Sequence, residues 1–329
     1  MGSTPTPGFL IVRKEPSWFR VIEINKDGVP VTEARYGEGD HWAVLLKKEN
    51  YNTQHALDIL RRRFGGRWTY AGSKDKFAIT FQEVRARGCT PRDWSNAGIE
   101  IKVLGRAVGP LRLGDLGGNR FEIRYEGQVK EPPTKIPNFF GPQRFGRERK
   151  NPAIGKALIL NRFEDAVEML AGALPRRYVA RVQEYLNKQP RDWAGALSRI
   201  PRNLLLLFVH SYQALLFNWY LAEHGGEKVW VPGYKMRVDE HWRKIFKEEN
   251  ISADVFKCYG LPQLRSPGHL RQGWLRPRIE LGGGWIRFDL PPGAFASVVL
   301  GFMGAYDAHA QLDLAGFVKQ PWFSIEKGF

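Results

Sequence analysis

The chain has 329 residues, 43% of them hydrophobic and 26% charged, proportions of an ordinary soluble globular protein with room for one large or two modest domains. An excess of 50 Lys and Arg over 34 Asp and Glu leaves a net charge of +16, which points to a polyanionic partner, nucleic acid above all. Two distant cysteines (Cys89 and Cys258) and the lack of HExxH, Walker A or GxGxxG patterns argue against a disulfide framework, a zinc ribbon, and metal, nucleotide or redox cofactors. No apolar leader and no 18-residue apolar run are evident, so a soluble, cytoplasmic protein that does not enter a membrane is expected.

Residues 9–24, FLIVRKEPSWFRVIEI, read as a strand, a Pro-containing break and a second strand. In that second strand Phe19, Val21 and Glu23 share a face, so Glu23 is either an edge residue or one with a partner inside. Residues 38–64 predict a strand over Trp42–Leu46, then a helix with Thr53 as N-cap and Ala56, Ile59, Leu60 and Arg63 at the 3.6 period. Arg61, Arg62 and Arg63 crowd that helix's C-terminus, where they suit the dipole.

AGSKDKFAIT, residues 71–80, sets Asp75 between Lys74 and Lys76 and is flanked by β-formers. It reads as a loop projecting one carboxylate from a sheet edge. In an extended backbone both lysines point away from Asp75, so its counter-cation should come from elsewhere in the chain. A strand near Ile99–Leu104 follows, then a Gly-rich turn and alternation at Phe121, Ile123 and Tyr125. Residues 135–150, KIPNFFGPQRFGRERK, interleave Phe139, Phe140 and Phe145 with basic side chains. That composition suits a stacking plane beside phosphate-neutralising cations, or else a loop pinned to the core by its rings.

From residue 153 the character becomes helical. IGKALILNRFEDAVEMLAG predicts one helix, and residues 204–226 a long one, apolar nearly all round and ended by Gly225. His210 and Trp219 read as core residues of it. Residues 276–303 predict two strands and a helix. The basic excess is carried by residues 1–152 and 153–273, while 274–329 are near neutral; an RNA spanning both parts is the simple inference.

The string AGSKDKFAITFQ resembles the signature AGxKDxxAxTxQ of the TruD family of tRNA pseudouridine synthases. Other stretches agree in the same order: Arg13 ahead of PSWFRVIE resembles a basic residue before PxxFxVxE, LRLG…GNRF matches LRLG…GNxF, NFFGPQRFG is similar to NYFGxQRFG, and LPPGAFAS to LPxGSFAT. HSYQALLFN resembles the family's equivalent helix more loosely, and residues 228–272 match nothing in it. Phe77 departs from the family, many members carrying His there.

The resemblance implies an α+β fold. A catalytic domain with a mixed, mostly antiparallel sheet flanked by helices (residues 1–152 and 274–329) would be interrupted by a largely helical insertion domain (153–273). It implies Asp75 as nucleophile, Arg13 as its counter-ion, and Phe140 packing on the target uracil with Asn138 alongside. Lys74, Lys76, Glu23, Asn119, Arg120, Gln143, Arg144, Phe145 and Phe295 are the implied RNA contacts. The implied substrate is uridine 13 in the D arm of tRNA, and no metal or cofactor is called for; a monomer is expected. The reaction breaks N1–C1′, turns the uracil and rejoins it through C5, with attack at C1′ or C6 both compatible with the sequence. Two rivals are weighed. A non-catalytic RNA-binding protein on the same scaffold fits the charge and aromatics but does not require the Lys-Asp motif with Arg13. A glycoside hydrolase needs a second carboxylate paired with Asp75, and no motif marks one.

Overall fold

The computed structural model describes residues 9–11, 15–74, 76, 78–129, 131–308 and 310–320. The chain divides into two compact units, one drawn from Met1–Thr134, Arg276–Ala296 and Leu300–Ala315, the other from Lys135–Leu275, Ser297–Val299 and Gly316–Phe329. The sequence reading set the first junction at 152/153. The aromatic stretch 135–150 instead groups with the second unit, because its backbone is hydrogen-bonded there: Asn138 N–H donates to Gly273 O at 2.7 Å and Phe140 N–H to Asn218 Oδ1 at 2.8 Å.

The first unit is built on a sheet. Its strands are β1 Phe9–Ile11, β2 Phe19–Ile24, β3 His41–Lys48, β4 Arg67–Tyr70, β5 Ile79–Arg87, β6 Trp94–Asn96, β7 Ile99–Ala107, β8 Gly118–Gly127, β9 Ile279–Gly282, β10 Trp285–Leu290, β11 Ala305–Asp307 and β12 Leu312–Asp313. They run in the order β12-β11-β1-β8-β2-β5-β3-β7-β6, with β10 also on β8, β9 on β10 and β4 on β5. Pairing is antiparallel except for β1 with β11 and β2 with β5. The expected mixed, mostly antiparallel sheet is therefore present. β8 begins at Gly118, so Asn119 and Arg120 lie in a strand and not in the preceding turn.

Helix α1, Thr53–Phe64, covers one face of the sheet. Ala56, Leu57 and Leu60 pack on Val44, Leu46, Trp68, Val84, Ala86, Ile99 and Ile101, a layer in which each buried Val, Leu or Ile contributes about 1.5–3 kcal/mol. The cap is Asn52, whose Oδ1 accepts from His55 N–H at 2.8 Å, and not Thr53 as the sequence suggested. Thr53 is already helical, and its hydroxyl is committed elsewhere.

The second unit is largely helical: α2 Asn151–Ile159, α3 Phe163–Glu168, α4 Arg176–Lys188, α5 Trp193–Leu197, α6 Arg202–His224 and α7 Glu240–Glu248. Two short antiparallel strand pairs join them, Lys228–Val231 with His269–Gln272 and Ile136–Pro137 with Trp274–Leu275. The single helix predicted over residues 154–172 is two, because Asn161 turns left-handed at φ 58° between α2 and α3. By length and composition α6 is apolar enough to cross a membrane, contrary to the expectation that no such run exists; 72% of that apolar window is buried inside the protein, where α6 serves as the core helix.

Gly155 on α2 lets α6 approach. A Cβ built there would lie 2.1 Å from Phe208 O, a backbone atom that cannot rotate away. Gly155→Ala should therefore push α2 off α6 and lower unfolding free energy by about 1–3 kcal/mol, read as a drop in the urea midpoint at unchanged slope.

Candidate active site

Asp75 and Arg13 lie outside the described residues. What is described is the segment that carries Asp75, residues 71–74, and every residue of it but one is tied down. Ala71 O accepts from Gly114 N–H at 2.8 Å. Gly72 O accepts from Gln82 Nε2 at 3.3 Å. Lys74 N–H donates to Thr53 Oγ1 at 3.0 Å, and that hydroxyl donates on to Gln82 Oε1 at 2.9 Å. Lys74 O accepts from the fully buried Lys48 Nζ at 3.2 Å, which also donates to Tyr51 O at 2.8 Å. The Thr and Gln thus act as braces that carry no chemistry of their own.

The Lys74 side chain turns inward and meets Glu23 at 2.5 Å, with only 4% and 2% of the two side chains exposed. Glu23 Oε1 also accepts from Glu83 N–H at 3.2 Å across the parallel β2/β5 pair. Of the two readings of Glu23, the one with a partner inside is right. Burial pushes the Glu23 carboxyl up, and Lys74 beside it pulls part of the way back. Glu23 and Lys74, both implied as RNA contacts, are corrected on this ground: each is enclosed and engaged by the other. Lys76, by contrast, is exposed. The neighbouring network continues through Glu83, which accepts from Tyr36 OH at 2.5 Å and Arg85 Nε at 2.8 Å.

Asn119 stands opposite Glu23 in the β2/β8 register, and its Oδ1 is buried with no hydrogen bond. Arg120 is neutralised by Asp289 through bonds of 2.9 and 3.0 Å, which leaves it poorly placed as a phosphate ligand. Phe295 is half-buried just before the helix Ala296–Phe302.

In the second unit the structure brings Asn138, Phe140 and Arg144 together with a residue the sequence reading missed, Arg271. Arg271 Nη2 donates to Asn138 Oδ1 at 2.7 Å, its Nε donates to Asn138 O at 3.2 Å, and the guanidinium lies 4.3 Å from the Phe140 ring centroid. Asn138 Nδ2 donates to Gln272 O at 2.8 Å. The Phe140 backbone is clamped by Asn218 of α6, which accepts from its N–H at 2.8 Å and donates to its carbonyl at 3.0 Å. Phe217 meets the Phe140 ring edge-on at 5.4 Å, and the Arg144 guanidinium lies at 5.5 Å. Burial and Arg144 pull the Arg271 guanidinium down to about 10. Arg271 sits in the stretch 228–272 that matched no motif, and nothing local marks it.

Two further readings change. Phe145 is fully buried and packs on Phe317 at 5.9 Å, so it is a core ring and not a contact for RNA. His210 is exposed and lines a pocket beside Phe140, so it is not the core residue the sequence suggested, while Trp219 is buried as expected. Gln143 is exposed and accepts from Ser297 Oγ at 3.1 Å.

Removing one partner of a buried ion pair leaves the other charge uncompensated. Lys74→Met should destabilise by about 3–5 kcal/mol at pH 7.5. Without Lys74, the Glu23 carboxyl rises further, so the folded state binds its proton more tightly than the unfolded chain does. The loss should then shrink as the pH falls toward 5, and Glu23→Gln/Lys74→Met should recover part of it; urea titrations at the two pH values measure both.

Comparison with known proteins supplies the context. The sequence model of tRNA pseudouridine synthase D (TruD) matches residues 3–184 and 174–229. A relative from Pyrococcus furiosus, named probable tRNA pseudouridine synthase D, is 31% identical over 78% of this chain and 87% of its own. One of the same name from Methanopyrus kandleri is 29% identical over 80% and 85%. A crystal structure from Methanosarcina mazei carrying the TruD name superposes with a TM-score of 0.66 at 24% identity, covering 91% of this chain and 94% of that one, a likeness of fold. With the motif order, the matched length and the sheet all in agreement, the chain belongs to the tRNA pseudouridine synthase D (TruD) family.

Proposed function

We propose that this protein isomerises a uridine of tRNA, uridine 13 of the D arm, to pseudouridine, with the Asp75 carboxylate as covalent nucleophile. The observation that carries this reading is the bracing of residues 71–74 by Lys48, Thr53, Gln82 and Glu23, which holds the backbone leading into Asp75. Such pre-positioning is what a nucleophile needs to attack without a reorganisation penalty. The relatives' name, tRNA pseudouridine synthase D, supports the same chemistry.

The target base has to leave its stack, at a cost of a few kcal/mol, offset by stacking and phosphate contacts. Phe140, held in one orientation by Asn218, Phe217 and Arg271, is the ring proposed to pack on the uracil. Asn119 offers a buried acceptor for a donor on the substrate. An unperturbed aspartate titrates near ~3.9, so Asp75 enters the reaction ionised at neutral pH, with Arg13 as its counter-ion. In the net reaction the N1–C1′ bond breaks, the C5–C1′ bond forms, N1 takes up a proton and C5 releases one to solvent.

That released hydrogen is the test. The protein should liberate tritium from tRNA labelled at uridine C5, and Asp75→Asn should lower the rate by at least about a thousandfold while tRNA affinity stays within about threefold. Arg13→Ala should reduce turnover far more than affinity. Tight tRNA binding without tritium release from the unaltered protein would replace this reading with that of a non-catalytic RNA-binding protein.

A further inference from the structure

Beside Phe140 in the second unit lies a pocket of about 180 Å³, lined by Arg144, His210, Gln213, Ser266 and His269 as well as by the Phe140 ring. Pockets that take drug-sized ligands run from roughly 300 to 1,000 Å³, so this one suits a single compact group. Its charge is one-sided: among the described residues no carboxylate lines it. Gln213 Nε2 already donates to Pro232 O, and the Ser266 hydroxyl to Leu264 O at 3.1 Å. Among the described residues the Arg144 guanidinium makes no ion pair; it lies over Phe140.

Half-burying the Arg144 guanidinium beside other basic groups is unfavourable unless an anion meets it. Burial holds the Arg144 guanidinium below its usual value. His210 is pushed down to about 4 by desolvation, with the charges of Arg144, His269 and Arg202 adding to it. His269 is lowered by desolvation and then by Arg271. Every charge bearing on the two imidazoles is therefore positive.

We propose that this pocket is a subsite for one phosphate of the RNA backbone, held by Arg144 together with the imidazoles of His210 and His269. This rests on the tRNA reading above and adds the group of the RNA that the second unit grips. An anion within 4–6 Å of a histidine raises its pKa by about one to three units. The imidazoles, neutral at pH 7.5 before binding, would take up a proton with the anion, so binding tightens as pH falls. A rise of about two units at His210 makes binding at pH 5.5 about fourfold tighter than at pH 7.5.

Sulfate is the probe of choice because it stays dianionic across this range. Titrated into the full-length protein labelled at its histidines, it should give saturable NMR shifts of the His210 and His269 imidazoles, about fourfold tighter at pH 5.5. Arg144→Gln should abolish saturation, and His210→Gln/His269→Gln should remove the pH dependence. In a second arm, Arg144→Gln should reduce the slope of log affinity for tRNA against log salt by about 0.7–0.9, with unchanged circular dichroism. If Arg144→Gln does not fold, the imidazole shifts of the unaltered protein with sulfate carry the first arm, and loss in His210→Gln/His269→Gln of the tightening of tRNA binding between pH 7.5 and 5.5 carries the second. Absence of saturable imidazole shifts overturns the subsite. Sulfate binding with an unaltered tRNA salt slope shows a site for free anions only and overturns the assignment to RNA. Tritium release by the unaltered protein with an unaltered slope in the variant sinks the subsite and leaves the reaction standing; no tritium release sinks the reaction whatever sulfate does.

Discussion

A lysine and a glutamate buried against each other are the constraint on which the first unit's arrangement depends. Lys74 and Glu23 lie 51 positions apart in sequence, and the parallel pairing of β2 with β5, the strand that follows the loop carrying Lys74, brings the two side chains within reach of each other. Once both are withdrawn from water, neither tolerates loss of the other, so the register of β2 and the course of the loop leading to Asp75 are specified together. Lys48 and Thr53 add the same specification from β3 and from the first turn of α1. Three different elements thus converge on a single residue, Lys74, two on its backbone and one on its side chain, immediately ahead of the proposed nucleophile.

The second unit solves a related problem with neutral groups. α6 is apolar almost throughout, and Asn218 in its middle would be an expensive residue to bury alone. Its amide is satisfied by both backbone groups of Phe140, which converts a liability of the core into a clamp on the aromatic motif. Arg271 does the same for Asn138 and at the same time faces the Phe140 ring. The cationic character of the pocket beside Phe140 comes from Arg144, His210 and His269, and among the described residues no carboxylate lines it.

Much of the architecture was readable from local chemistry. Alternation predicted the strands ending in Glu23 and starting near Phe121, the apolar run predicted α6 and its Gly225 stop, and the closing strand pair and helix were seen in order. Periodicity works there because side-chain direction along a strand or helix is set within a few residues. Capping was misplaced by one position because Thr53 and Asn52 have the same local preference, and the choice between them was made by Gln82 and Lys74, far away in sequence.

The sequence by itself determined the family, the place of Asp75 between two lysines and the basic, aromatic character of residues 135–150, since these depend only on which side chains are present and in what order. The tertiary structure alone decided which of those side chains face solvent. Lys74 and Lys76 are identical in type and two positions apart, yet one is sealed against Glu23 and the other is exposed; Phe140 borders a pocket while Phe145 fills the core. Exposure is a property of what packs against a residue, and the partners here, Glu23, Asn218, Arg271 and Phe317, come from segments that no local pattern ties to the motifs they hold.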